Sequence, residues 1–205
     1  ENTTQELASY YREEEQFDIF SENARKIRND EFQDNPELVF QFDKFQSVLR
    51  KELKRTLYPL QLLSSFHMAF SQNSCNFAVP GAGKTSIVYG AYAYLKNLPP
   101  TDPKYVNKLL VIGPLSSFAP WENEYEACFG SKPTSFRMSG NIEISKDLKK
   151  QHLSSAKPAE LTLIFHGGVP NFESRIIDFL KKNKTLVVVD EAHRIKNADG
   201  KWGKN

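Results

Sequence analysis

The stretch Cys75–Leu95, "CNFAVPGAGKTSIVYGAYAYL", decides how the rest of the chain is read. Its first five residues, 75–79, are apolar enough for a strand. Gly81 and Gly83 make a loop that can take positive φ. The segment 84–96 then carries apolar residues at helical spacing. Strand, glycine loop and helix in that order aim loop amides and a helix N-terminus at an anion. The run Gly83-Lys84-Thr85 completes the phosphate-loop pattern G-x-x-x-x-G-K-[ST], except that its first glycine falls on Ala78. In this reading Pro80, Gly81, Ala82, Gly83, Lys84, Thr85 and Ser86 cradle a nucleotide's phosphates. Lys84 reaches the outer phosphates and Thr85 offers its hydroxyl to Mg²⁺.

A phosphate loop of this kind works with an acid on a neighbouring strand. "TLVVVDEAHRIKN", Thr185–Asn197, supplies one. Four apolar β-formers precede Asp190, so the acid stands at a strand's C-terminal end, where open parallel sheets bind ligands. Asp190 is expected to hold the metal, and Glu191 to orient or deprotonate the attacking water. An Asp-Glu pair alone would read as a solvated strand end. Its place about a hundred residues beyond the glycine loop, and its continuation as Ala192-His193, argue for the site.

The texture between these motifs alternates. Strands are expected at 75–79, 108–113, 135–138, 161–165 and 185–190, and helices near 59–71, 84–96, 117–128, 145–154 and 172–182. Strands alternating with helices predict βαβ units and a mainly parallel sheet. The apolar runs "LLVI" and "LVVV" suit strands covered on both faces. Residues 1–56 read as helical, with Asp34-Asn35-Pro36 starting a helix whose stripe is Leu38, Val39, Phe42, Phe45, Val48, Leu49 and Leu53. The expected organisation is a helical extension, 1–56, and an ATP-binding lobe, 57–205.

Composition narrows the class. With 40% hydrophobic residues, the 205-residue chain can bury a core. Residues 1–56 carry 13 acidic and 9 basic side chains, net −4, and residues 57–205 carry 12 and 18, net +6. The positive part is the one suited to a phosphate polymer, although scattered solvated lysines would give the same count. Cys75 and Cys128 lack disulfide or metal spacing and read as reduced thiols of a cytosolic protein. No apolar run approaches a membrane span. His67, His152 and His166 show no metal spacing, and no role is assigned to them.

Four stretches in order resemble one family. "DEAHRIKN" resembles motif II of the Swi/Snf, remodeller-like branch of superfamily 2 helicases and double-stranded DNA translocases. "LYPLQLLSSFHMAF" resembles the adenine-sensing segment of that family, and "KLLVIGPLSSFAPWENEY" its motif Ia. "LTLIFHGG" sits at the next strand and its nucleic-acid loop. The resemblance covers residues 57–198 and implies a RecA-like P-loop NTPase lobe of α/β class. In superfamily 2 the first glycine position is often another residue, so Ala78 is no defect. The acidic pair that remodellers carry before their glycine loop is absent here. That departure fits a divergent relative, a group that includes DNA-defence and restriction-associated translocases, and the sequence selects none of them.

The resemblance also distributes roles. Gln61 is implied to bond the adenine edge, and His193 to couple nucleotide state to a second lobe or to DNA. Pro114, Leu115, Ser116 and Ser117 are implied to contact DNA backbone. The same four residues also read as a strand-to-helix turn with Ser116 or Ser117 as N-cap. ATP and Mg²⁺ are the expected ligands and double-stranded DNA the expected partner. A second RecA-like lobe with arginine fingers is expected outside the sequence given, which reads as the first lobe of a larger motor. On its own it is expected to hydrolyse ATP hardly at all. The location implied is the cytoplasm of a prokaryote, or the nucleus of a eukaryote. Two alternatives stay open: a motor of another superfamily 2 branch (strand-separating helicase or restriction-enzyme translocase), and a nucleotide-gated signalling or scaffold ATPase that never meets nucleic acid.

Overall fold

The computed structural model describes residues 22–27, 29–71, 74, 81–138 and 146–192. The expected strand 75–79, Pro80, His193 and Cys75 lie outside these residues, as do 1–21. The chain divides into two compact units, Glu1–Tyr94 and Leu95–Asn205.

In the first unit, α1 spans Pro36–Glu52 and starts where the sequence places it. Asn35 caps it, its Oδ1 accepting from Leu38 N at 3.2 Å, and Pro36 occupies the first turn, where no amide partner is needed. Helix α2 spans Pro59–Phe70 and α3 Lys84–Lys96. The unit's core is aromatic. Phe66, fully buried, is surrounded by Phe32, Phe42, Phe45 and Phe70 with ring centroids 4.5–5.7 Å away, and Phe45 and Phe70 both reach Tyr94. Rings tilted at these separations add to the energy of area burial alone. The sequence extension is thus continuous in packing with the segment that follows it.

Helices α2 and α3 approach closely at Gly90. A Cβ there would lie 2.3 Å from Ser65 Oγ and 2.8 Å from Leu57 Cδ1. The Ser65 hydroxyl is fully buried and makes no hydrogen bond.

The second unit is built on a parallel sheet. Its strands are β1 (Lys108–Gly113), β2 (Ser135–Met138), β3 (Leu161–Phe165) and β4 (Thr185–Val189), in the order β2-β3-β1-β4. The register sets Leu110 beside Thr162 and Val187, and Ile112 beside Ile164 and Val189. The connections carry α4 (Phe118–Phe129), α5 (Lys146–Ser154) and α6 (Glu173–Lys182), each within a residue or two of the expected span. One sheet face packs Leu110, Met138 and Ile164 against Leu153 of α5 and Ile176 and Phe179 of α6. The opposite face meets α4, whose Glu122 bonds Ser135 and Arg137 of β2. This is the mainly parallel α/β arrangement that the alternation predicts.

One expectation fails. Coverage on both faces holds for β1 and β3 but not for β4. Val187 and Val189 are 42% and 45% exposed. On α6, Arg175 donates to Ser154 of α5 at 3.0 Å, so that flank turns toward α5. Ile177 and Leu180, on the other flank, are exposed as well.

Candidate functional site

The first unit holds the phosphate-loop residues. Gly81 and Gly83 take φ of +84° and +75°, the left-handed values that glycine adopts at little cost. The helix begins at Lys84, with Ile87 N bonded to Gly83 O at 3.1 Å. The amides of the first turn lie at the helix start, beside an exposed Lys84 and a half-buried Thr85. Ser86 is buried.

Gln61 stands against this loop. Its Oε1 accepts from Tyr58 N at 3.0 Å, and its Nε2 donates to Ala82 O at 2.9 Å. A Cβ on Gly83 would collide with the same amide, 2.4 Å from Nε2. One amide hydrogen and one carbonyl lone pair remain for another partner. Gln61 therefore ties the α2 start to the loop in addition to any contact it makes with a base. A cavity of about 250 Å³ nearby is lined by Arg50, Leu53, Arg55, Leu57 and Leu62, and Gln61 is not among its walls.

The second unit holds Asp190. The acid continues the β4 ladder, Asp190 N donating to Ile112 O at 2.8 Å, so it stands at the C-terminal sheet edge. Trp121 Nε1 donates to its Oδ2 at 3.1 Å. His166 Nε2 lies 2.8 Å from its carbonyl oxygen. A carbonyl only accepts, so that nitrogen carries the proton. Trp121 is 3% exposed and His166 7%. Glu191, exposed, has φ +54°, rare for a residue with a Cβ and a cost of about 1–3 kcal/mol where it persists.

Pro114–Ser117 follow β1 at the same edge, Leu115–Ser117 as a 3₁₀ turn. Leu115 and Ser116 are exposed. Ser117 stands at the N-cap of α4, as one of the two expected positions, but its side chain makes no capping bond; its hydroxyl donates to Pro114 O at 2.9 Å. Gly113 is crowded by both neighbours, since a Cβ there would lie 2.8 Å from Ser117 Oγ and 3.3 Å from Asp190 Cβ. Among the described residues no cluster of three His, Cys, Asp or Glu could hold a metal. A Mg²⁺ held by one carboxylate, a hydroxyl and phosphate oxygens needs no such cluster, and Asp190 and Thr85 have that donor chemistry.

Trp121 and His166 are the residues that sequence reading did not assign. Trp121 lies in a stretch that resembles motif Ia but carries no role there. His166 has no spacing signal at all.

A family model described as "Type III restriction enzyme, res subunit" (ResIII) matches residues 60–204, most of the chain. The chain belongs to the ResIII family. It is thereby a superfamily 2, helicase-like ATP-binding chain, with the RecA-like parallel sheet of that class. No curated protein matches. Among solved structures, the Sulfolobus solfataricus SWI2/SNF2 ATPase core in complex with dsDNA is similar at 17% identity and a TM-score of 0.46, over 74% of this chain and 35% of that one. The ResIII chain thus spans about a third of that structure's length.

Proposed function

We propose that this ResIII chain is the nucleotide-binding lobe of an ATP-driven motor that tracks double-stranded DNA, of Swi/Snf type. One observation carries the reading: Gly113 brings Asp190 and the Pro114–Ser117 turn together at one sheet edge. The acid assigned to hydrolysis and the turn assigned to the DNA backbone are then mechanically linked. Lys84, Thr85 and the amides of 81–83 take the phosphates, and Gln61 the adenine. Asp190 and Thr85 would hold Mg²⁺, which when bound neutralises charge on the outer phosphates. Glu191 aligns the water. His193 passes the nucleotide state onward.

DNA contact through amides and hydroxyls at the backbone gives salt-sensitive, sequence-independent binding. A second lobe supplies the arginines, typically worth about 10³–10⁵ in rate. Residues 1–56 serve as a helical extension. The family match favours a second reading, the motor of a restriction enzyme, which uses the same residues.

The test is ATPase turnover of this chain and of a version extended to include a second lobe, each with and without duplex DNA. Turnover is expected only in the extended protein, and stimulated by duplex. Full turnover by this chain alone, or no DNA response by the extended protein, overturns the proposal. Strand displacement by the extended protein would move it to the strand-separating branch.

A further inference from the structure

Resting on that reading, we propose that Trp121 and His166 are positioning residues for Asp190, and that together they set how well the site takes a divalent cation. A carboxylate at a strand end turns about two side-chain bonds, and its carbonyl belongs to a peptide at the end of a ladder. Both freedoms are removed here. Trp121 Nε1 donates to Oδ2 at 3.1 Å and fixes the carboxylate plane. His166 Nε2 donates to the Asp190 carbonyl at 2.8 Å and fixes the peptide that joins Asp190 to the strained Glu191.

The chemistry suits metal binding. The indole N–H is a neutral donor, so it orients the carboxylate without cancelling its charge. A lysine or arginine in its place would compete with the cation. Oδ2 is engaged, which leaves Oδ1 to take a metal or its water. The clamp is built rather than incidental. Trp121 and His166 are both nearly fully buried, and they come from α4 and from the 3₁₀ turn His166–Asn171. Gly113 clears the space in which Asp190 Cβ sits. Outer partners of metal-binding side chains typically contribute about 10- to 100-fold in metal affinity.

This arrangement also gives His166 a position between two functions. It opens the turn after β3, in the stretch that resembles the nucleic-acid loop, and it holds the backbone of the metal-binding acid.

The experiment uses Mn²⁺ as the probe. Free Mn²⁺ is counted by electron paramagnetic resonance with ADP bound, and ADP affinity is measured separately in EDTA. Trp121 is replaced by β-(3-benzothienyl)alanine, which keeps the ring shape but has no N–H, and in a second variant by Phe. The benzothienyl variant is expected to need about 10-fold more Mn²⁺ for half-saturation, with ADP affinity in EDTA unchanged. His166→Gln, whose amide can still donate, is expected to retain more Mn²⁺ affinity than His166→Ala. In an Asp190→Asn background the Trp121 replacement is expected to add nothing further.

Unchanged Mn²⁺ affinity in the benzothienyl variant overturns the inference. So does an equal loss of ADP affinity in EDTA, which marks general damage. If the wild-type chain itself binds no ADP, the nucleotide reading fails, and that result is distinct from either.

Discussion

The two compact units present the residues assigned to the proposed site by different means. In the first, the phosphate-loop end is made of backbone. Two glycines at positive φ and the first turn of α3 present amides, and the residues that do this are consecutive. In the second, the acid is held by side chains from α4 and from the turn after β3, distant in sequence from Asp190. The contrast teaches where a motif search sees and where it does not. Backbone sites need particular residues at particular spacings, so they leave a pattern. Side-chain clamps need only that remote residues meet in space, and they leave none.

The largest expected effect tests whether the halves are separable. Lys84→Ala should weaken ADP binding in EDTA about 100-fold, as loss of a charged hydrogen-bond donor would. Asp190→Asn should change it little, because without metal the acid has no partner on the phosphates. Equal losses by equilibrium titration would show that the two halves act as one.

Next comes the packing under the loop. Gly90→Val would drive a branched side chain into Ser65 and Leu57, and should cost at least about 1–3 kcal/mol in urea unfolding. Ser65→Ala should go the other way, raising stability by about 1 kcal/mol, because it removes a buried hydroxyl without a partner. A destabilised Ser65→Ala would mean that the hydroxyl is satisfied in solution.

Gln61→Ala sharpens the comparison, since this side chain is seen bracing the backbone half. Loss of the bond to Ala82 should weaken both ATP and GTP, by about 10-fold through a looser loop, and ATP further through the lost adenine contact. A loss confined to ATP would assign Gln61 to the adenine alone.

A further effect is one of pH. His152 stacks on Phe136 at 4.0 Å and meets Thr162 Oγ1 at 3.0 Å. Burial, with Lys108 nearby, lowers its pKa to about 4 from an ordinary 6.5. The folded state therefore prefers the neutral ring. That contribution is full above pH 6.5 and is lost as pH falls from there toward 4. His152→Phe should flatten this part of the stability profile, measured by thermal unfolding in steps of pH.

How much was legible follows the same division. The spans of β1 and β3 could be read because "KLLVIG" and "LTLIF" are continuous apolar runs bounded by polar or glycine residues. The start of α1 could be read because Asn35-Pro36 is a local signal that needs nothing distant. The exposure of β4 could not, since "TLVVV" reports what a strand could bury and not which neighbour is there. Trp121 was visible only as part of a motif. His166 was invisible, because a lone histidine becomes meaningful only when folding brings Asp190 to it. The glycine loop and the acid were thus both legible locally, and the acid's two holders only in the fold.

The uncovered side of β4 has a colloidal consequence. Val187 and Val189, with Ile177 and Leu180 on α6, set oily side chains in water on the second unit. Among the described residues β4 is also an outer strand of its sheet. An outer strand with exposed β-branched residues is adhesive toward other strands. Sulfate and other excluded salts strengthen apolar contact, while added charge on such a strand opposes it. Among the described residues, Val187 and Val189 are where such contact would begin.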